Sequence, residues 1–480
     1  MSQKENSVLL SFIWKLLERG AAQLITLVVQ IVLARILAPD EFGVISILLV
    51  FINVANVFIQ KGFASSLIRK PIVCDDDYNT ALIVSEIIAV VCVGIFFIFS
   101  NQLETFYSIE GLSQFMRVLS VSLLFGAFYS IQNAELVRKM RFKQIFYRSM
   151  VASIGSGIIG IIAALLNCGV WALVLQSLFQ QIIICVATMI ACEWKPKLRF
   201  SKKSFSELFS FGSKILLAEI ISIGVENLRT LIIGKKYTST DLAYYDRGQV
   251  YPATAMRSIY DTISSVLLPV YSKIQGEKEK LAINVSISLE LSMFIVAPLF
   301  FGLAAVAKPF IVVLLTDKWE AATPYLVIFC IYQIAFPAYG IFRQCLYALG
   351  KSDDVLKVEI VRSGIFILAI IIGVMFSPIA IAILSCLAMY ITTVIYLGVV
   401  YKYIPIKITV LLRNIVITII QCITMVVLIA CFNRIELPNV LLLVIDIIIG
   451  TISYLLLSIF FKNKSFNICM SYIKKYRQIK

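Results

Sequence analysis

"GQVYPATAMRSIYDTISSVLLPV" (Gly248–Val270) holds Arg257, Asp261 and two prolines, and on hydropathy alone it fails as a membrane-spanning segment. Whether it crosses decides three things together: the number of spans, the side on which the C-terminal tail ends, and whether the two halves of the chain can be copies of each other. Its surroundings leave less room for choice. The chain has 480 residues, 60% of them hydrophobic and 15% charged, with a mean hydropathy of +0.93. A soluble domain of that composition would expose far too much apolar surface. Apolar runs of about 18 or more residues, each long enough to cross a bilayer as a helix, recur from end to end. They predict an all-α polytopic membrane protein with spans near 12–37, 42–60, 79–100, 113–133, 149–166, 170–192, 208–233, 281–306, 325–349, 360–376, 378–400, 414–432 and 438–461.

Loop charge decides the remaining stretch, at 249–270. With it counted as the eighth of fourteen spans and both termini cytoplasmic, the basic loops fall on one side. They include "VRKMRFKQIFYR" (Val137–Arg148), "KPKLRFSKK" (Lys195–Lys203) and the Lys-rich tail after Phe461. Of the 43 Lys and Arg, only Arg35, Lys235, Lys236, Arg247, Lys308, Lys318 and Arg434 fall on the far side. That asymmetry is the positive-inside pattern. Without the eighth span the basic tail would be on the wrong side, so the span is kept. The net charge of +15 is then topological, with some attraction to anionic headgroups, and it calls for no nucleic-acid partner.

The same composition narrows the chemistry. There is no His, which removes the commonest general base and His-based metal sites. The 11 Cys are scattered, many in apolar segments (Cys92, Cys185, Cys330, Cys422), with no CxxC spacing, so they read as small hydrophobes rather than disulfides or zinc ligands. "ALGKSDD" (Ala348–Asp354) lacks the earlier glycine of a phosphate-cradling loop, since Cys345 stands there. The loops are too short for a soluble catalytic domain. No catalytic residue, metal or cofactor is expected, and the chain reads as a non-enzyme. Met1–Arg19 lacks the layout of a cleaved leader, so the first span is expected to stay as an anchor.

An internal repeat supports fourteen spans. "LARILAPDEFGV" (Leu33–Val44) lies over "IGKKYTSTDLAY" (Ile233–Tyr244) at an offset of 200, and Ser65–Leu67 over Ser265–Leu267. Six spans per copy keep both copies in one orientation, so the repeat is parallel, about an axis normal to the membrane. The expected organisation is an N-terminal lobe at 1–207, a C-terminal lobe at 208–408, and an appendage of two spans with a basic tail at 409–480. Two such lobes leave a cleft that can hold substrate near the midplane.

Polar residues then pick out which helices line that cleft. Glu219, Ser222, Glu226 and Arg229 recur at steps of three and four, forming one stripe on the seventh span. The first span has Lys15, Arg19, Gln23, Thr26 and Gln30; the second, Asn53, Asn56 and Gln60; the eighth, Thr254, Arg257, Ser258 and Asp261. Each ionised group at the bilayer centre costs about 2.5–3.5 kcal/mol on insertion scales, so these faces must meet protein or water. Lys15, Arg117, Arg343 and Arg362 are read as structural pairs or snorkelling side chains. Arg19, Arg229 and Arg257 are the candidate cavity cations, suited to a phosphate or an acidic sugar. Asn53, Asn56, Glu219, Ser222, Glu226 and Asp261 are the candidates for sugar hydroxyls or a coupling ion, with Na⁺ and H⁺ both left open. Glu290 and Asp446 are further buried acids on the ninth and fourteenth spans.

"SFIWKLLERGAAQLITLVVQIVLARILAPDEFGVISILLVFINVANVFIQKGFASSLIRK" (Ser11–Lys70), "LIIGKKYTSTDLAYYDRGQ" (Leu231–Gln249) and "LLPVYSKIQGEKEKL" (Leu267–Leu281) resemble the polysaccharide transporters of the Wzx type, in the colanic-acid-exporter-like branch. The resemblance runs over essentially the whole chain. It implies the multidrug/oligosaccharidyl-lipid/polysaccharide exporter fold, with two six-helix lobes, a V-shaped cavity and alternating access. It also implies translocation of an undecaprenyl-diphosphate-linked oligosaccharide across the bacterial inner membrane, for surface polysaccharide such as capsule or O-antigen of lipopolysaccharide. Polysaccharide polymerase and other assembly proteins would then be partners, besides the membrane lipids. Related lipid II flippases use cavity arginines in helices 1, 2 and 8 and a lipid-tail groove by helices 13 and 14. Arg19 and Arg257 stand in comparable helices here, while the second span offers Asn53 and Asn56. Three rival readings stand beside it: a multidrug or cation antiporter of the same fold, a membrane glycan polymerase or ligase, which would need a large outer loop, and a structural scaffold, which would not need aligned intramembrane charges.

Overall fold

Hydrocarbon offers no partner to a peptide group, so each span must satisfy its own backbone, and among the described residues every ordered element is helical. The computed structural model describes the backbone of residues 3–433, 437–461, 463, 465–467 and 470. Side chains are described from residue 20 onward, except at 61, 211, 214, 215, 217, 218, 221, 222, 225, 226, 265 and 410. The helices are α1 (Gln3–Ile36), α2 (Pro39–Asn56), α3 (Gly62–Arg69), α4 (Asp75–Tyr107), α5 (Leu112–Ser120), α6 (Ser122–Arg138), α7 (Phe142–Leu165), α8 (Val170–Ala191) and α9 (Lys202–Lys236). They continue as α10 (Ser239–Lys273), α11 (Lys278–Ala305), α12 (Ala307–Leu315), α13 (Thr323–Ala348), α14 (Ser352–Gly373), α15 (Pro378–Tyr401), α16 (Ile408–Phe432) and α17 (Asn439–Phe460). Every expected span has a helix beneath it. Two spans are built of pieces: a π-helical turn at Val57–Lys61 joins α2 to α3, and α5 runs into α6 at Val121.

Ten of these segments are long and apolar enough to cross a membrane on composition. α10 is too polar for that test and α9 is not among the ten, yet each is a continuous helix of 35 residues, and α10 runs through Pro252 and Pro269. The doubtful stretch at 248–270 is therefore helix throughout.

Contacts divide the chain into two compact units, Met1–Ala243 and Tyr244–Lys480. In the first, α7 packs on α1 and α8, and α9 packs on α2, α3 and α4. Small residues make the α9 packing close. A Cβ on Gly212 would stand 2.8 Å from the Gly62 carbonyl oxygen, Ser66 Oγ donates to the Leu208 carbonyl at 2.9 Å, and Lys70 bridges Asp77 and Glu207 at 2.9 and 2.8 Å. Around that seam Phe63, Leu67, Tyr78, Ile131, Trp194 and Leu208 form an apolar core. α9, expected from the repeat to open the second copy after residue 207, is thus packed within the first unit. In the second unit α13 packs on α11 and α15, α14 on α15, and α16 on α11 and α17.

The turns at the repeat positions are alike in detail. α1 ends at Ile36 and α2 begins at Pro39; α9 ends at Lys236 and α10 begins at Ser239. Each start is capped by an acid at the equivalent place: Glu41 accepts from the Ala38 N–H at 2.7 Å, and Asp241 from the Thr238 N–H at 3.2 Å. A carboxylate there satisfies an N–H that the helix leaves unpaired.

Candidate functional site: a carboxamide cavity

Three helices of the first unit turn uncharged polar side chains toward one another. α1 contributes Thr26 and Gln30, four apart; α2 contributes Asn53 and Asn56, three apart; α8 contributes Gln176, Ser177, Gln180 and Gln181. These spacings keep each set on one helical face. Together with Leu49, Ile52, Leu119 and Ser122 they enclose a cavity of about 230 Å³. Thr26 and Asn53 are exposed, Gln176 is buried, and Gln30, Asn56 and Gln180 lie between.

Glycines let these helices approach. A Cβ on Gly160 of α7 would stand 2.9 Å from Gln176 Cβ, and one on Gly157 would stand 2.5 Å from Val29 Cγ2 of α1. On α6, a Cβ at Gly126 would stand 2.9 Å from Gln60 Nε2 and 3.3 Å from Asn56 Oδ1. Hydrogen bonds then orient the lining. Gln60 Nε2 donates to Asn56 Oδ1 at 2.8 Å, and Gln30 Nε2 reaches Gln176 Oε1 at 3.5 Å, the long end of the range. The hydroxyls of Thr26 and Ser177 donate to their own helices, to the carbonyls of Ala22 and Leu173, both at 2.9 Å. Their oxygens are left as acceptors toward the cavity.

The structure distributes the other expected site residues as follows. Glu219 and Arg229 are half-buried on α9 in the first unit. In the second, Arg257 and Ser258 are exposed on α10 and Asp261 is half-buried. Arg19 on α1, and Ser222 and Glu226 on α9, lie outside the residues whose side chains are described. Asn53 and Asn56 are brought together with Thr26 and Gln30. The glutamines of α8 were not among the expected residues; their signal is "QSLFQQ" (Gln176–Gln181), polar at i, i+4 and i+5 but without charge.

Several intramembrane charges expected as glue are networked. Arg117 donates to Ser100 Oγ and Asn101 Oδ1 at 2.8 and 2.9 Å. In the second unit Glu359 receives Arg362 at 2.7 Å and the hydroxyls of Tyr339 and Tyr396 at 2.8 Å, and Arg343 donates to the hydroxyls of Tyr339 and Tyr260 at 2.8 Å. Asn414 donates to Glu290 at 2.8 Å. Asp446 is fully buried in the wall of an apolar cavity of about 460 Å³, which Pro298, Leu299, Met425, Ile429 and Tyr454 also line.

Comparison with known proteins agrees with this architecture. The chain is 21% identical over 339 residues to the succinoglycan biosynthesis transport protein ExoT of Rhizobium meliloti (strain 1021), covering 71% of this chain and 69% of that protein. It is 24% identical over 355 residues to the lipopolysaccharide biosynthesis protein WzxC of Escherichia coli (strain K12), covering 72% and 71%. Among solved structures, the lipid II flippase MurJ in an inward closed conformation superposes with a TM-score of 0.76 at 16% identity, covering 94% of this chain and 99% of that one. An inward-facing multidrug resistance transporter of the MATE family superposes with a TM-score of 0.57 at 13% identity, covering 83% and 99%. Both likenesses establish the fold. A family model described as "Polysaccharide biosynthesis protein" matches residues 32–324, more than half of the chain. The chain belongs to that family of polysaccharide biosynthesis proteins.

Proposed function

We propose that this protein is a flippase. It carries an oligosaccharide linked to undecaprenyl diphosphate across the bacterial inner membrane by alternating access, for surface polysaccharide synthesis. Membership of the family supports this, as do relatives named for succinoglycan transport and lipopolysaccharide biosynthesis and the fold shared with a lipid II flippase. The observation that carries it is the carboxamide cavity: hydrogen-bonding side chains, two of them exposed, inside helices otherwise built to face hydrocarbon. A sugar headgroup stripped of water and given no partners cannot enter a bilayer, and such a lining supplies partners along the way. No bond is made or broken.

In this reading the chain is two six-helix copies, 1–207 and 208–408, with 409–480 appended, and the matched caps at Glu41 and Asp241 support the repeat. Both termini are cytoplasmic. Arg19, Arg229 and Arg257 engage the diphosphate or an acidic sugar, while Glu219, Ser222, Glu226 and Asp261 contact sugar or a coupling ion. A polysaccharide polymerase receives the product. Arg257→Ala tests the assignment. Since Arg257 is exposed, the variant should accumulate normally yet fail to deliver labelled lipid-linked glycan to the outer leaflet of reconstituted vesicles. Unimpaired delivery would remove Arg257 from the site.

A further inference from the structure

We infer that the cavity between α1, α2 and α8 is a subsite for a single uncharged sugar ring, and that it rejects anionic groups. This rests on the flippase reading and adds a ligand class to one place in it. The donor and acceptor inventory carries the argument. Gln30, Asn53, Asn56, Gln176, Gln180 and Gln181 bring six carboxamides, each able both to donate and to accept. Thr26 and Ser177 have committed their protons to Ala22 and Leu173, so toward the cavity they can only accept. A sugar hydroxyl donates and accepts, and it matches both kinds of group. A phosphate or carboxylate oxygen only accepts, so it can use the carboxamide N–H groups but not the Thr26 and Ser177 oxygens, and among the described lining residues no Lys or Arg offsets its lost hydration.

Size and shape agree. Sites for whole drug-sized ligands run from about 300 to 1,000 Å³, so a cavity of about 230 Å³ takes one ring rather than an oligosaccharide. Leu49, Ile52 and Leu119 supply an apolar wall for the C–H face of that ring. Gly160 and Gly126 bear directly on the lining, because a Cβ at either would press on Gln176 or on the Asn56–Gln60 pair. The diphosphate is thereby assigned to the arginines rather than to this carboxamide lining.

The test uses the purified full-length chain in detergent. D-glucose, D-galactose and N-acetyl-D-glucosamine serve as neutral probes, with glucuronate and inorganic pyrophosphate as anions, and thermal unfolding is the readout. At least one neutral sugar should raise the melting temperature in a saturable way, as a ligand of the folded state does. Glucuronate should not produce that shift. Gln180→Leu and Asn53→Leu, at half-buried and exposed positions, should each weaken the sugar effect at least tenfold while leaving any pyrophosphate effect unchanged. The inference is overturned if no neutral sugar shifts the transition, if glucuronate shifts it as much as glucose does, or if both variants keep full sensitivity. A separate vesicle assay for lipid-linked glycan translocation distinguishes the two readings. Sugar binding without translocation would sink the flippase assignment alone, and translocation unaffected by either variant would sink the subsite alone.

Discussion

At the scale of single residues, the tightest constraints fall on glycines where helix backbones meet. Gly43 of α2 lies against the backbone of Ser239, and a Cβ there would sit 1.8 Å from the Ser239 carbonyl oxygen. The obstacle is main chain at the first turn of α10, which cannot rotate aside as a side chain can. Gly43→Ala should therefore destabilise the first unit by at least the ~1–3 kcal/mol typical of overpacking, seen as a lower melting temperature of the purified protein. Gly94 of α4, where a Cβ would meet nothing within 4 Å, is the control; Gly94→Ala should stay within about 0.5 kcal/mol of the parent. Equal effects at the two positions would mean that α2 and Ser239 are not in contact. Gly43 stands at the small position of the repeat pattern, where Ala243, fully buried, is its counterpart. The pattern was readable in sequence, but its cause, a backbone-to-backbone approach, was not.

At the scale of elements, the helices were legible because lipid demands long apolar stretches, and the structure has a helix under each. α10 was legible only through the charge of distant loops, since its own residues are polar. The carboxamide cavity was half legible. Thr26 and Gln30 stood out on a helix already marked by charge, and Asn53 and Asn56 as a polar face of the second span, whereas the α8 glutamines sit on a helix with no charge and matter only because tertiary packing turns them toward α1 and α2. The π-turn at Val57–Lys61 left no sequence signal at all. Such turns hold one residue more than regular helix and recur at functional sites. Here the wide turn separates the cavity-lining Asn56 from Phe63, Ser66 and Leu67, which are packed in the core. Deleting Phe58 should regularise the segment without turning either flank, so the melting temperature should change little. The Asn56–Gln60 bond, at spacing four across the wide turn, would fall at spacing three and have to re-form in a different geometry, and glycan translocation should slow several-fold. A stable deletion variant with full transport would show the π-turn to be incidental to the cavity.

At the scale of the whole molecule, topology follows from a balance between charge inside the membrane and charge outside it. α10 brings Arg257 and Asp261 into a span, at about 2.5–3.5 kcal/mol each if they met lipid. If α10 did not cross, every segment after it would change sides, leaving the Lys-rich tail opposite to the basic loops at 137–148 and 195–203. Both penalties vanish together if α10 crosses with Arg257 and Ser258, which are exposed, turned to water. Single cysteines in a background freed of native Cys separate the cases in intact cells with a membrane-impermeant maleimide. Lys308→Cys, at an exposed residue paired with Glu320 at 2.7 Å, should react from outside, while Lys195→Cys and Lys475→Cys should react only after permeabilisation. A chain in which α10 does not cross gives the reverse for Lys308 and Lys475 while Lys195 is unchanged, so the result cannot be confused with a general failure of labelling. Ser258→Cys adds the second half of the argument. It should react with the same reagent in everted or solubilised preparations, whereas Ile448→Cys, exposed on the apolar helix α17, should stay unmodified in the membrane. Water at Ser258 and none at Ile448 is what allows a helix as polar as α10 to count as the eighth crossing; equal protection of the two would leave Arg257 and Asp261 in hydrocarbon and the fourteen-span arrangement without its energetic basis.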